Sequence, residues 1–171
     1  MAISVPSKKE VEVIKFDAAG LFGGILMEGK TKPSNLGLGA GQTRTDIKSQ
    51  EIQVQCFPLY SVLQALKNPH VDYFSLDIEG AEMVVLETLP WSKVNMTLLS
   101  VEINHAGDIF PGTRQDIHEK MKKEGFELAS TVYIHDEKDK IRTDLPLDDF
   151  FYSKKNNRFL PRKKSKKNTK C

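Results

Sequence analysis

Two acidic strings hold the residues with the most chemistry in this chain: Asp77-Ile78-Glu79-Gly80-Ala81-Glu82 and Glu102-Ile103-Asn104-His105. Each ends an apolar run of strand character, Val71–Ile78 and Met96–Ile103. Adjacent strands lie about 4.8 Å apart. If these two are neighbours, Asp77, Glu79 and Glu102 meet at one edge of the sheet, and Glu82 opens the following helix on the same side. Carboxylates that close raise one another's pKa, which favours general-base chemistry. They also attract a cation or a ligand's hydroxyl and amino groups. In an open α/β sheet, ligands bind beyond the carboxyl ends of the strands.

Structural roles compete for the same residues. Asp77 can cap the helix at Ala81, and Glu82 suits the positive end of that helix. His105 is equally a hydrogen-bonding loop residue or an acid/base. Asp77, Glu79, Glu102 and His105 together offer metal-ligand types, but their spacing fits no specific template, and no metal site is expected. Gly37-Leu38-Gly39-Ala40-Gly41 imitates a phosphate-binding loop. It lacks the preceding buried strand and the following helix that such a loop needs, so it is read as a flexible loop.

Positioning falls to the elements around these strings. Residues 11–16 alternate as a strand, and a further strand is expected within residues 21–28 of a Gly-, Ser- and Thr-rich stretch. Residues 51–56 form a strand with Ile52, Val54 and Cys56 on one face. Pro58 suits the first position of a helix over 58–67, which Asn68-Pro69 stops. The Val71–Ile78 strand, near-continuously apolar, is expected to be buried on both faces. A helix with Ala81, Val84, Val85 and Leu89 inward links it to the Met96–Ile103 strand, which implies parallel pairing. Pro90 and Trp91 then seal the core. Thr113 with Asp116 reads as a capping box for a helix to about Lys123, with Ile117 and Met121 inward and Gly125 as its stop. Residues 126–134 and 148–153 close with an antiparallel hairpin.

The 171 residues, 39% hydrophobic and 28% charged, suffice for one domain with a core. Residues 1–153 carry 16 Lys/Arg against 23 Asp/Glu, whereas residues 154–171 carry nine Lys/Arg and no acid. The tail is expected to be disordered, with anionic membrane as its natural contact. Nucleic acid is not expected, since no aromatic residues interleave the basic ones to stack bases. Cys56 and Cys171 make no disulfide framework, and Cys56 reads as a buried thiol. No apolar run is long enough to span a bilayer, and the first residues have no signal-peptide core. From the chain alone the compartment reads as cytoplasmic. Asn95-Met96-Thr97 matches the glycosylation pattern at a strand edge.

With Val71–Glu82, Leu99-Ser100-Val101-Glu102 and Gly125-Phe126-Glu127 in view, residues 54–153 resemble the C-terminal half of an FkbM-type methyltransferase domain. Cys56-Phe57-Pro58-Leu59-Tyr60 and Leu89-Pro90-Trp91 look like its animal Star and Star-like branch. The resemblance implies an α/β, Rossmann-like and mostly parallel sheet, N-terminally incomplete here, with an antiparallel C-terminal hairpin. Residues 1–50 would be an irregular segment, 51–153 the domain and 154–171 the tail. It also implies methyl transfer from S-adenosylmethionine to an oxygen of a sugar or other small molecule, a matter of positioning plus a base. Asp77, Glu79 and His105 would then be catalytic, and Glu82, Glu102 and Asn104 substrate-binding. The family's glycine-rich turn and ribose-binding acid are not found, so weak or no cofactor binding is expected. The Star-like branch implies instead a non-catalytic role in endoplasmic reticulum to Golgi and endosomal traffic of membrane-protein clients, with an upstream anchor.

Overall fold

The computed structural model describes residues 2–3, 12–18, 24–26, 50–108, 110–134 and 145–156. The Gly37–Gly41 segment and residues 157–171 lie outside this set, as does Cys171. Among the described residues the elements run β1 (Ala2–Ile3), β2 (Glu12–Asp17), β3 (Gly24–Ile25), β4 (Glu51–Phe57), α1 (Leu59–Ala65), β5 (Val71–Leu76), α2 (Glu82–Thr88), β6 (Met96–Glu102), α3 (Arg114–Lys123), β7 (Phe126–Ile134) and β8 (Leu145–Ser153). No helix is long and apolar enough to cross a membrane among the described residues.

The strands form two four-stranded sheets, ordered β1-β4-β2-β3 and β5-β6-β8-β7. This corrects the expected mostly parallel sheet. Among the described strands only β1–β4 and β5–β6 pair in parallel, whereas β2 pairs antiparallel with β3 and β4, and β8 with β6 and β7. Among the described residues α2 is the crossover helix that joins the parallel neighbours β5 and β6, and the antiparallel pairs need none. The C-terminal hairpin is present, with its second strand inserted between β6 and β7.

Alternation along the strands sorts their residues between two environments. Phe74 and Leu76 on β5, Leu99 and Val101 on β6 and Phe151 on β8 face the apolar cluster formed with Leu59 and Leu63 of α1, Val85 and Leu86 of α2, and Ile117 and Met121 of α3. Each such side chain contributes about 1.5–3 kcal/mol on burial. Trp91 closes the cluster edge-on to Phe126, with ring centroids 5.5 Å apart, and its Nε1–H donates to the Leu86 carbonyl at 2.8 Å. The alternate residues Tyr73, Ser75 and Ser100 are joined by hydroxyl hydrogen bonds of 2.8 and 3.1 Å on the other face. Tyr73 is 51% exposed there. β5 is therefore not buried on both faces as expected: among the described strands it ends its sheet, and its apolar run packs on one side only.

Local signals explain the helices. Pro58 is the N-cap residue, one position before the first helical turn where it was expected, with extended backbone (ψ 133°) that its ring tolerates. Thr113 and Asp116 form the expected capping box: the Asp116 carboxylate accepts from Thr113 N at 2.7 Å, and Asp116 N donates to Thr113 Oγ1 at 3.3 Å. Gly125 ends α3 at φ +87°. Cys56 is fully buried. In the glycosylation pattern, Thr97 is buried and its hydroxyl bonds His70 and the Asn156 carbonyl.

α3 is also pinned by charge. Asp149, with no exposed side-chain surface, accepts from Arg114 Nε at 2.8 Å, Arg114 Nη2 at 2.9 Å, Thr131 Oγ1 at 2.6 Å and His118 Nε2 at 2.6 Å. Burial alone would raise this carboxyl, but the hydrogen bonds from Arg114, Thr131 and His118, with the guanidinium charge, together hold it below its usual value.

Candidate functional site

The turn between β5 and α2 is built from backbone amides closed onto buried carboxylates. Glu82 Oε1 accepts from Ile78 N at 2.9 Å and from Gly80 N at 3.2 Å, and Glu102 Oε2 accepts from Glu79 N at 3.2 Å. The turn needs two residues in the left-handed region, Glu79 at φ +59° and Gly80 at φ +97°. At Gly80 a Cβ would lie 2.9 Å from the His105 carbonyl oxygen, so glycine lets the end of β5 touch the loop after β6. That contact brings the two acidic strings together.

Asp77 does not cap α2. Ala81 is the N-cap residue, without a side-chain hydrogen bond, and Glu82 serves the turn from inside the first helical turn. Asp77 is exposed and shares a hydrogen bond with Glu102. Glu79, Glu102 and His105 converge: His105 Nε2 lies 3.7 Å from Glu79 Oε2 and 3.8 Å from Glu102 Oε1. These three side chains present ligand atoms within 4.8 Å of one another, a grouping able to hold a metal ion. Asn104 Nδ2 reaches His105 Nε2 at 3.1 Å, and Asp108 Oδ2 lies 3.3 Å from His105 Nδ1. A carboxylate only accepts, so Nδ1 carries the hydrogen and Nε2 presents its lone pair to the acidic side. All six residues singled out in the sequence thus lie around one turn and one loop.

Burial gives the carboxylates different states. Glu102 is pushed up to about 9, by its burial first and then by the charge of Asp77 and Glu82, the Asp77 hydrogen bond and the charge of Glu79. It is therefore protonated at neutral pH and can donate as well as accept. Glu82 is also raised by burial, against the opposing effect of the amides it binds and of Glu102. Its position, 1% exposed and spent on two amides, makes it a staple of the turn.

Asp148 and Asp108 were missed in the sequence. β8 pairs Asp148 with Glu102, and burial followed by the charges of Asp77 and Asp149 raises the Asp148 carboxyl. The signal was available: successive acids on a strand face opposite ways, so Asp149 turns to α3 and Asp148 to the acidic edge. Asp108 had no comparable signal, because its reach to His105 depends on the turn at residues 104–108.

No curated protein and no solved structure matches the chain. The methyltransferase FkbM domain family does match, over residues 17–128, reaching upstream of β4 and stopping within β7. That match covers well over half of the sequence, and the chain belongs to the methyltransferase FkbM domain family.

Proposed function

We propose that the acidic edge beyond β5 and β6 is the acceptor-binding side of a methyl-transfer cleft for a small molecule bearing hydroxyl groups. The observation that carries this is the convergence of Glu79, Glu102, Asn104 and His105 at the carboxyl ends of two parallel neighbours, where α/β sheets take ligands. Glu79 and Asp77 are the bases for an acceptor hydroxyl, and the Nε2 lone pair of His105 is the alternative proton acceptor. Protonated Glu102 and the Asn104 amide offer hydrogen bonds that orient the acceptor, and Glu82 holds the turn that carries Glu79. Asp108 keeps the imidazole in the useful tautomer.

The donor that family membership implies is S-adenosylmethionine, which supplies an electrophilic methyl group when bound. Two features of the described residues speak against a donor site in them. Asp17, the acid at the end of β2, is buried and accepts from Gln50 N at 3.2 Å. The amides of Ile78, Glu79 and Gly80, in the turn of the β5–α2 unit, are taken by Glu82 and Glu102. We therefore place no step on the donor and expect this chain by itself to hold it weakly or not at all.

Two measurements test the parts separately. Saturation-transfer NMR with a panel of monosaccharides and polyols should give ligand signals that fall in E79Q. Signals that are absent, or indifferent to E79Q, would remove the acceptor site. Calorimetry with S-adenosylmethionine should show no micromolar binding, and micromolar binding would overturn the statement about the donor.

A further inference from the structure

We propose that Glu79, Glu102, His105 and Asn104 form a binding site for one first-row divalent cation, of which Mn²⁺ is the best-matched probe. The proposal does not rest on methyl transfer. Two ligands about 2.1 Å from one ion stand roughly 3–4 Å apart, and the Nε2–Oε distances here are 3.7 and 3.8 Å. These are too long for direct hydrogen bonds, so the groups surround a gap rather than bonding across it. Each donor is also oriented for the task. Glu102 fixes Oε2 on the Glu79 amide and holds Oε1 toward the imidazole, and on taking a cation it releases the proton it otherwise carries. His105 turns Nδ1–H to the Asp108 carboxylate, the outer arrangement that metal-bound histidines use to set tautomer and ring angle.

Asn104 supplies an independent sign. Its Oδ1 is buried and lacks a hydrogen-bond partner among the described residues, although its Nδ2 sits 3.1 Å from His105 Nε2. A buried carbonyl without a donor is costly. That amide donates to Nε2 only while the imidazole lone pair is free. With a cation on the lone pair, rotation of the amide brings Oδ1 to the ion, and the orphaned acceptor becomes a ligand. One imidazole with carboxylate and carbonyl oxygens suits Mn²⁺, because the nitrogen disfavours Mg²⁺ and Ca²⁺ and the oxygens disfavour softer ions. A cation here would bind an acceptor hydroxyl directly and acidify it.

The test is Mn²⁺ titration of the full chain, dialysed free of chelator, followed by electron paramagnetic resonance. One equivalent should lose the free-ion signal, and the bound ion should show nitrogen modulation from an imidazole. E79Q, at a position more exposed than Glu102 and His105, should weaken binding by about tenfold or more, whereas E119Q on the outer face of α3 should bind as wild type. H105Q should abolish the nitrogen modulation, with its fold checked by circular dichroism. No binding, binding indifferent to E79Q, or binding without nitrogen modulation would each overturn the site.

Discussion

Replacing Asp149 by Asn tests how α3 is held to the sheet. The side chain has no exposed surface and accepts four hydrogen bonds of 2.6–2.9 Å, two of them from one guanidinium. Asn keeps the shape but carries no charge and turns an amide N–H₂ toward groups that also donate. Breaking a buried ion pair by removing one partner costs about 3–5 kcal/mol. The Arg114 side chain is 36% exposed and the His118 side chain 28%, so water takes over part of their hydration and the lower end applies, about 3 kcal/mol. For a chain of this size that lowers Tm by roughly 6–12 °C. Urea unfolding at pH 7 measures the free energy. The sign of the pH dependence gives a second reading. Asp149 is depressed in the folded state, so its stabilisation is complete above the ordinary carboxylate pKa and disappears as pH falls through the lower folded value. The gap between wild type and D149N should therefore be steady near neutrality and close below about pH 4. A loss under about 1 kcal/mol at pH 7, or one undiminished in strong acid, would refute the reasoning.

Three further outcomes follow from the same contacts. G80A should cost about 1–3 kcal/mol, since φ is +97° and the new Cβ meets the His105 carbonyl at 2.9 Å; an unfolding midpoint equal to wild type would show that the turn yields. T113A should cost about 1 kcal/mol by removing one half of the capping box, read by urea unfolding, with amide exchange at Asp116 faster than in wild type. With metal chelated, the raised Glu102 carboxyl makes the folded state bind the extra proton between the ordinary carboxyl value of 4.5 and about 9, so its stabilisation falls as pH rises through that window. E102Q should flatten that slope in unfolding experiments between pH 5 and 8 (order-of-magnitude window), and a slope unchanged by E102Q would place the proton elsewhere.

Short-range signals were legible in the sequence. Periodicity gave the β6 core strand and the inward Ile117 and Met121. The Thr113/Asp116 spacing gave the cap of α3, and Gly80 and Gly125 marked turns. That the six candidate residues gather around one turn and one loop was legible because they follow apolar strands, and strand ends gather in parallel pairs. Sheet membership was not legible. Pairing energy depends on which edge a strand meets, so nothing in Val71–Leu76 itself says that it ends a sheet or that β4 joins β2 in another.

What the sequence alone determined, then, is family, element type and the acidic character of the strand ends, because each is written in residue types within a few positions of one another. The tertiary structure decided the roles of those acids. Glu82 became a staple, Glu102 a protonated carboxyl and His105 the bridge between two strand ends, since burial and neighbouring charge are set by how the turn, the loop and the two strand ends pack, as in the Glu79–Glu102 contact across 23 positions. Asp148 and Asp149 show the division most simply. Their adjacency was plain in the chain, but only the β6–β8 register and the packing of α3 send one to the acidic edge and the other to Arg114.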